Sequence, residues 1–200
     1  MSYSPILIVA GEPNSIFLEI FFKVISKNKI KSPIILITSK KLLTMQMKVL
    51  KFQKEIKILN PLKLNKYKLN NRTINLIDIK YSQKKAFEKI SKKSNKFIEN
   101  CFNLAFKIIK KNKISKFING PISKKSFLNK KFLGITEYIS KHFKVKKSCM
   151  LIYNKDLSVC PITTHLPIKL IAKRINKKTI INKISLITSF YKNKFDINPK

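Results

Sequence analysis

The sequence predicts an α/β protein built on a parallel sheet, and three observations predict it. Residues 4–10 and 33–38 are short, uninterrupted apolar runs, the pattern of strands buried on both faces rather than on one. Each run is followed by a segment whose apolar residues recur at helical spacing. The first run also ends at Gly11, one of only 3 glycines in the chain, so a residue type used sparingly sits where a strand must turn into a helix.

In chain order, the strand over 4–10 leads through Gly11-Glu12-Pro13 to Asn14 or Ser15, either of which can cap a helix. That helix carries Ile16, Phe17, Ile20, Phe21, Val24 and Ile25 on one stripe and runs to Asn28. A second buried strand over 33–38, a helix over 40–50 and a third short strand over 55–59 continue the alternation. Pro61 with Asn60, Asn65, Asn70 and Asn71 then marks a loop, and the alternating residues 73–79 predict a half-exposed edge strand. The apolar stripe from Phe87 to Ile109, free of Pro and Gly, predicts one long helix over 85–112, with a break near Ser94 left open. Phe117 and Ile118 lead into Asn119-Gly120-Pro121, a helix over 123–129, the segment Gly134-Ile135-Thr136-Glu137 and a helix towards Phe143. Residues 149–153 and 157–163 read as a strand pair turned at Asn154-Lys155-Asp156, and helices over 168–175 and 179–191 follow. No linker or repeat divides residues 1–200.

A hydrophobic content of 44%, with 10% aromatic residues, belongs to a globular chain with a real core. The formal charge of +35 points first to nucleic acid or an anionic membrane. Against that, only Arg72 and Arg174 among the 44 basic residues are Arg, and Lys is spread along nearly every segment. Nucleic-acid readers concentrate Arg and interleave it with exposed aromatics, so the charge reads as the product of AT-rich codons. No basic stretch precedes the apolar residues 6–10, as a signal peptide requires, and Glu19 and Lys23 interrupt the most hydrophobic region well short of the roughly 20 residues that span a bilayer. A soluble, cytoplasmic protein with neither membrane nor nucleic-acid partner is expected. Cys101, Cys149 and Cys160 are odd in number and contain no CxxC pair, which predicts buried, reduced thiols.

Gly11, Gly120 and Gly134 all fall in predicted strand-to-helix connections. Such connections line the ligand crevice of open α/β sheets, and the N–H groups of the following helices suit an anion such as a phosphate. Each turn taken singly reads first as an ordinary tight turn. The glycines lie too far apart for the Gly-x-Gly-x-x-Gly dinucleotide fingerprint. Ser123 and Lys124, just after Gly120, could offer a hydroxyl and an ammonium to a phosphate. His142, among lysines near a helix end, reads as solvated, whereas His165 follows a predicted strand in Thr-Thr-His-Leu-Pro, with Pro167 placed to begin the next helix. Catalytic zinc takes three protein ligands, and a chain with 2 His and no Cys cluster cannot close a familiar site unaided.

Gly11-Glu12-Pro13-Asn14-Ser15-Ile16, Asn119-Gly120-Pro121-Ile122-Ser123-Lys124, Gly134-Ile135-Thr136-Glu137 and Thr163-Thr164-His165-Leu166-Pro167 resemble, in order and spacing, the motifs of the 4-hydroxythreonine-4-phosphate dehydrogenase family. There they read Gly-Glu-Pro-Ala-Gly-Ile-Gly, Thr-Gly-Pro followed by a Lys, Gly-His-Thr-Glu and Thr-Thr-His-Leu-Pro. The resemblance implies a three-layer α/β/α fold like that of isocitrate and isopropylmalate dehydrogenases, in two lobes, and a homodimer with active sites at its interface. It implies oxidation of 4-phosphohydroxy-L-threonine by NAD to a 2-amino-3-oxo acid phosphate. That product decarboxylates to 3-amino-2-oxopropyl phosphate, on the way to pyridoxine phosphate, and a divalent metal, zinc by preference, magnesium or cobalt otherwise, polarises the substrate hydroxyl for the oxidation. Carried over by position, His165 matches a metal ligand, Thr136 a substrate contact, and Lys124 the lysine after Thr-Gly-Pro. Ile135 stands in place of the family's His and cannot make its polar contact, Asn14 and Ser15 replace small residues, and Phe17 replaces a Gly.

The resemblance covers nearly all 200 residues. It implies a family continuation, with two further metal His and most NAD contacts, after the segment that ends in Phe195-Asp196-Ile197-Asn198-Pro199-Lys200. The expectation is therefore an incomplete dehydrogenase, its C-terminal portion missing, inactive alone or completed by a separate chain. A non-catalytic fragment or a basic nucleic-acid-binding domain is the alternative.

Overall fold

The computed structural model describes residues 3–128, 132–145 and 147–199. Its contacts divide the chain into two compact units, Met1–Phe127 and Leu128–Lys200.

The first unit is a parallel five-stranded sheet with helices on both faces. Its strands are β1 (Ile6–Val9), β2 (Ile34–Thr38), β3 (Ile56–Ile58), β4 (Ile74–Asp78) and β5 (Lys116–Asn119), in the order β3-β4-β2-β1-β5. All four pairings are parallel, with Ile6 beside Ile34 and Lys116, Ile35 beside Asn75, and Ile56 beside Ile74. Successive side chains of a strand point to opposite faces. Ile8, Ala10, Leu36, Ile74 and Leu76 accordingly pack with Leu18, Phe21 and Phe22 of α1 (Phe17–Lys27) and Leu43 and Met47 of α2 (Lys40–Val49). The opposite face, with Leu7, Val9, Ile35 and Ile37 all essentially solvent-free, packs on α3 (Asn95–Asn112). There Phe102 and Phe106 are fully buried, and the Phe102 ring meets Phe117 of β5 edge-on at 6.2 Å.

Four expectations of local backbone structure need correction. Residues 73–79 do not form an edge strand: β4 lies inside the sheet between β3 and β2, with Ile74 through Ile77 buried. Asn75 gave the segment its alternating look, but its amide is satisfied indoors, donating to the carbonyls of Ile34 at 2.9 Å and Asn70 at 2.7 Å. Asn14 does not cap α1, because its Oδ1 accepts from the Glu88 N–H at 2.9 Å, and the N-cap residue is Ile16 rather than Ser15, whose Oγ donates to the Glu12 carbonyl at 2.8 Å while accepting from the Phe17 N–H at 3.3 Å. The stripe over 85–112 is helical only from Asn95, after a 3-10 turn at Lys92–Ser94, and the residues before it form irregular backbone held by Gln83 and Glu88. Finally, 149–163 is no strand pair but a single antiparallel bridge between Ile152 and Val159.

Of the helix expected over 123–129, the described part is one π-helical turn, Lys124–Leu128, and Asn129 lies outside the described residues. The second unit holds α4 (Ile135–His142), α5 (Ile168–Arg174) and α6 (Lys177–Phe195). Only Leu128 and Gly134 among its described residues are buried. No described helix is long and apolar enough to cross a membrane. Cys101 is buried in α3, its thiol pushed far up by desolvation, whereas Cys149 and Cys160 are half-buried, against the expectation of three buried thiols.

Scarcity of glycine leaves a mark on helix ends. Lys113, at φ +49°, ends α3 in the left-handed region that usually takes Gly, and Asp196 ends α6 likewise at φ +55°. Two stability changes of opposite sign follow, both read by urea unfolding followed through far-ultraviolet circular dichroism. Phe102→Ala empties a fully buried site between α3 and β5 and is expected to cost about 3–5 kcal/mol. Lys113→Gly relieves a left-handed side chain and is expected to raise stability by about 1 kcal/mol.

Candidate functional site

The carboxyl ends of parallel strands are where an open α/β sheet presents its crevice. In the first unit two turns meet there backbone to backbone. Gly11, at φ +78°, follows β1, and Gly120 follows β5. A Cβ on Gly11 would lie 2.3 Å from the Pro121 carbonyl oxygen, and one on Gly120 would lie 2.0 Å from that of Ala10. The turns are tied by the Glu12 N–H donating to the Pro121 carbonyl at 2.8 Å and the Gly120 N–H donating to Val9 at 2.8 Å. Both glycines thus serve the packing of the protein on itself.

Glu12, which follows Gly11, is 4% exposed and accepts a 2.7 Å hydrogen bond from the Ser94 hydroxyl at the start of α3. Tyr81 lies near enough for its hydroxyl pKa to be raised, by burial first and then by the carboxylates of Glu12 and Glu88. Beyond the ends of β2 and β4, Ser39, Lys41, Asp78, Lys80, Tyr81 and Ser82 line an open pocket of about 400 Å³. Two free N–H groups at the start of α2 are already taken by the protein's own side chains, Lys40 N–H by Asp78 Oδ1 at 2.7 Å and Leu42 N–H by Ser39 Oγ at 3.3 Å. Lys124 is exposed on the π-turn, and Ser123 Oγ is used within that turn, accepting from the Ser126 N–H at 3.3 Å. The turn is anchored to α3, where Ser126 Oγ donates to Asn95 Oδ1 at 3.0 Å.

The second unit brings two of the sequence motifs together. Gly134 is the N-cap of α4 and, contrary to expectation, does not follow a described strand. Its φ of −162° is ordinary extended backbone, so glycine is present there for space. A Cβ at Gly134 would lie 2.9 Å from Glu137 Oε2 and 3.3 Å from His165 Nε2. These two atoms, from segments 28 positions apart in sequence, therefore converge on one point. Thr164 Oγ1 donates to the other Glu137 oxygen at 3.4 Å, and His165 is held at φ +57°. Thr136 sits in the first turn of α4, two residues from Gly134. Glu137 Oε2 is buried with no hydrogen-bond partner. Among the described residues no group of three or more His, Cys, Asp or Glu side chains could hold a metal ion.

Sequence reasoning singled out His165 and Thr136 and passed over Glu12 and Glu137. A signal was available: with 9 acidic against 44 basic residues, an acid placed directly at a glycine turn is unusual.

Comparison with known proteins decides the family. Residues 29–200 match the model of the pyridoxal phosphate biosynthetic protein PdxA. The chain belongs to the PdxA family. Over 197 residues it is 32% identical to a 4-hydroxythreonine-4-phosphate dehydrogenase of Sulfurihydrogenibium sp. (strain YO3AOP1), covering 96% of the chain and 59% of that relative. The chain thus spans under two thirds of that relative's length. The fold is that of solved PdxA-type structures, including 4-hydroxythreonine-4-phosphate dehydrogenases from Klebsiella pneumoniae (TM-score 0.81, 19% identity, 94% of this chain and 59% of that one) and Burkholderia phymatum (TM-score 0.82, 17% identity, 98% and 61%).

In this PdxA-family chain the glycine turns make separable predictions. Gly120→Ala drives a methyl into backbone that cannot yield, and thermal unfolding should show a loss of at least about 2 kcal/mol. Gly134→Ala meets only side-chain ends and should unfold within about 0.5 kcal/mol of the parent.

Proposed function

We propose that this chain carries part of the substrate and metal side of an NAD-dependent oxidation of 4-phosphohydroxy-L-threonine, in pyridoxine phosphate synthesis. The observation that carries the reading is the convergence of His165 Nε2 and Glu137 Oε2 over Gly134, which joins the two motifs most closely tied to the family's chemistry. The 4-hydroxythreonine-4-phosphate dehydrogenase relatives support the reaction class.

A divalent cation is proposed at this place. Imidazole nitrogen is a ligand that zinc favours, and a buried acceptor oxygen without a donor lies beside it. When bound, such an ion would stabilise the alkoxide form of the substrate hydroxyl and so favour hydride loss to NAD. His165 is the residue that would hold it, with zinc preferred over magnesium or cobalt. Thr136, at the start of α4, offers a hydroxyl to the substrate, and Lys124 an ammonium to its phosphate. Ile135 offers no hydrogen bond where the family resemblance calls for His, so this chain binds the substrate with one polar contact fewer.

The described residues show no glycine-rich cradle for NAD, because Gly11 and Gly120 are occupied by each other's turns. NAD is proposed here on the dehydrogenase names of the relatives, with its contacts supplied from outside this chain's described residues. A homodimer is proposed on the second unit, where Ile168 is 87% and Leu157 73% exposed, surface that association would cover. A cytoplasmic setting suits the free thiols.

The test is calorimetric titration of the chain with 4-phosphohydroxy-L-threonine in the presence of zinc. Saturable binding is expected, weakened about tenfold by Thr136→Val and abolished when the phosphate is absent from the ligand. Equal heats with and without the phosphate would overturn the assignment.

A further inference from the structure

Two of the three cysteines have no part in the proposed reaction, and the fold of the second unit brings them together. Ile152 and Val159 exchange both hydrogen bonds of an antiparallel bridge, the Ile152 N–H donating to the Val159 carbonyl at 2.8 Å and the Val159 N–H to that of Ile152 at 2.9 Å. The residue before Ile152 and the residue after Val159 then lie opposite each other on the other face. These are Leu151 and Cys160, and both line one open pocket of about 580 Å³. Continuing the alternation two positions back from Leu151 puts Cys149 on the same face, as the diagonal neighbour of Cys160.

The two side chains meet. The thiol of Cys160 is held above its ordinary range by burial first and then by the charge of Cys149; the Lys183 ammonium opposes this, and a hydrogen bond with Cys149 adds to it. Lys183 is itself placed by a hydrogen bond, its Nζ donating at 3.4 Å to the carbonyl of Ser148, the residue before Cys149. One cation therefore stands beside both cysteines, a setting that favours thiolates. Neither cysteine is sealed off, since both are half-buried and Cys160 opens on the pocket. Cys101 is the contrast: it is 1% exposed inside α3 with its thiol pushed far up by desolvation, the condition of an inert structural cysteine.

We propose that Cys149 and Cys160 form a redox-active dithiol that closes to a disulfide by exchange with a low-molecular-weight disulfide. The thiolate of one cysteine attacks a sulfur of the small disulfide, forming a mixed disulfide and releasing one small thiolate. The thiolate of the other cysteine then attacks the protein sulfur of that mixed disulfide, releases the second small thiolate and leaves the Cys149–Cys160 bond. The two protein thiols lose two electrons, the small disulfide gains them, and the two cysteine protons end on the two small thiols. Backbone on either side of the single Ile152–Val159 bridge is irregular, so the adjustment needed to reach the Cα spacing of a disulfide is available. The bond closes the loop of residues 150–159, and residues 154–158 of that loop line the pocket, so oxidation ties down one of its walls.

The test equilibrates the full, reduced chain with mixtures of oxidised and reduced glutathione, blocks the remaining thiols with N-ethylmaleimide and reads the product by intact and peptide mass spectrometry. The parent protein should lose two blockable thiols, retain no glutathione and yield a peptide joining Cys149 to Cys160, with Cys101 still reduced. Cys149→Ser and Cys160→Ser should each stop at the mixed disulfide, with one glutathione on the cysteine that remains. The same mixtures in urea give the reference in which the loop closes as a random coil, and the folded chain should need about tenfold less oxidised glutathione for half conversion. The parent measurement needs no variant to fold. Glutathione left on both cysteines, a bridge to Cys101 or between two chains, absence of reaction, or equal conversion in urea would each overturn the pairing.

Discussion

The first unit depends on two turns touching without side chains between them. β1 is flanked by β2 and β5, so the chain leaving β1 and the chain leaving β5 emerge side by side at the same edge of the sheet. They can do so only because Gly11 and Gly120 present bare backbone, and the resulting hydrogen bonds hold Glu12 where Ser94 can reach it. Through Ser94 the start of α3 is fixed, and α3 in turn covers the face of the sheet opposite α1 and α2. The N–H of Gly120 is spent on Val9 and that of Glu12 on Pro121, so the crevice here is shaped by self-packing.

Most of this unit was legible in the sequence because its signals are local. A run such as Ile34–Thr38, apolar at every position but the last, has only one physical home, the middle of a covered sheet, and it lies there buried throughout. Helix periodicity placed α2 to within a residue. What local patterns cannot encode is the partner of a polar side chain. Asn75 made an interior strand look like an edge, because nothing in its neighbours shows that the carbonyls of Ile34 and Asn70 will meet its amide. Asn14 looked like a cap for the same reason, its donor being supplied by Glu88, far along the chain. The stripe before Asn95 kept a helical rhythm, but Gln83, reaching Asn14 and Ala86, holds that stretch in a different backbone.

The second unit is a different physical object. Its helices carry apolar residues, yet Ile181, Ile184, Phe190 and Phe195 remain exposed, and its described interior amounts to Leu128 and Gly134. Rings of Tyr153, Tyr191, Phe190 and Phe195 cluster at 5.6–6.5 Å, and Tyr191 donates to Ser158, which gives local order without a closed core. Sequence periodicity identified the helices here but not their burial, since an exposed apolar stripe has the same spacing as one that faces a core.

An excess of lysine does not by itself decide which acids are paired. Nine acids stand against 44 basic residues, yet among the described residues lysines pair with Glu19 and Glu99 alone. Whether an acid meets a lysine is set by its position in the fold. Glu137 is screened in that way, its Oε2 turned inward over a glycine and beside an imidazole instead of outward into the field of lysines.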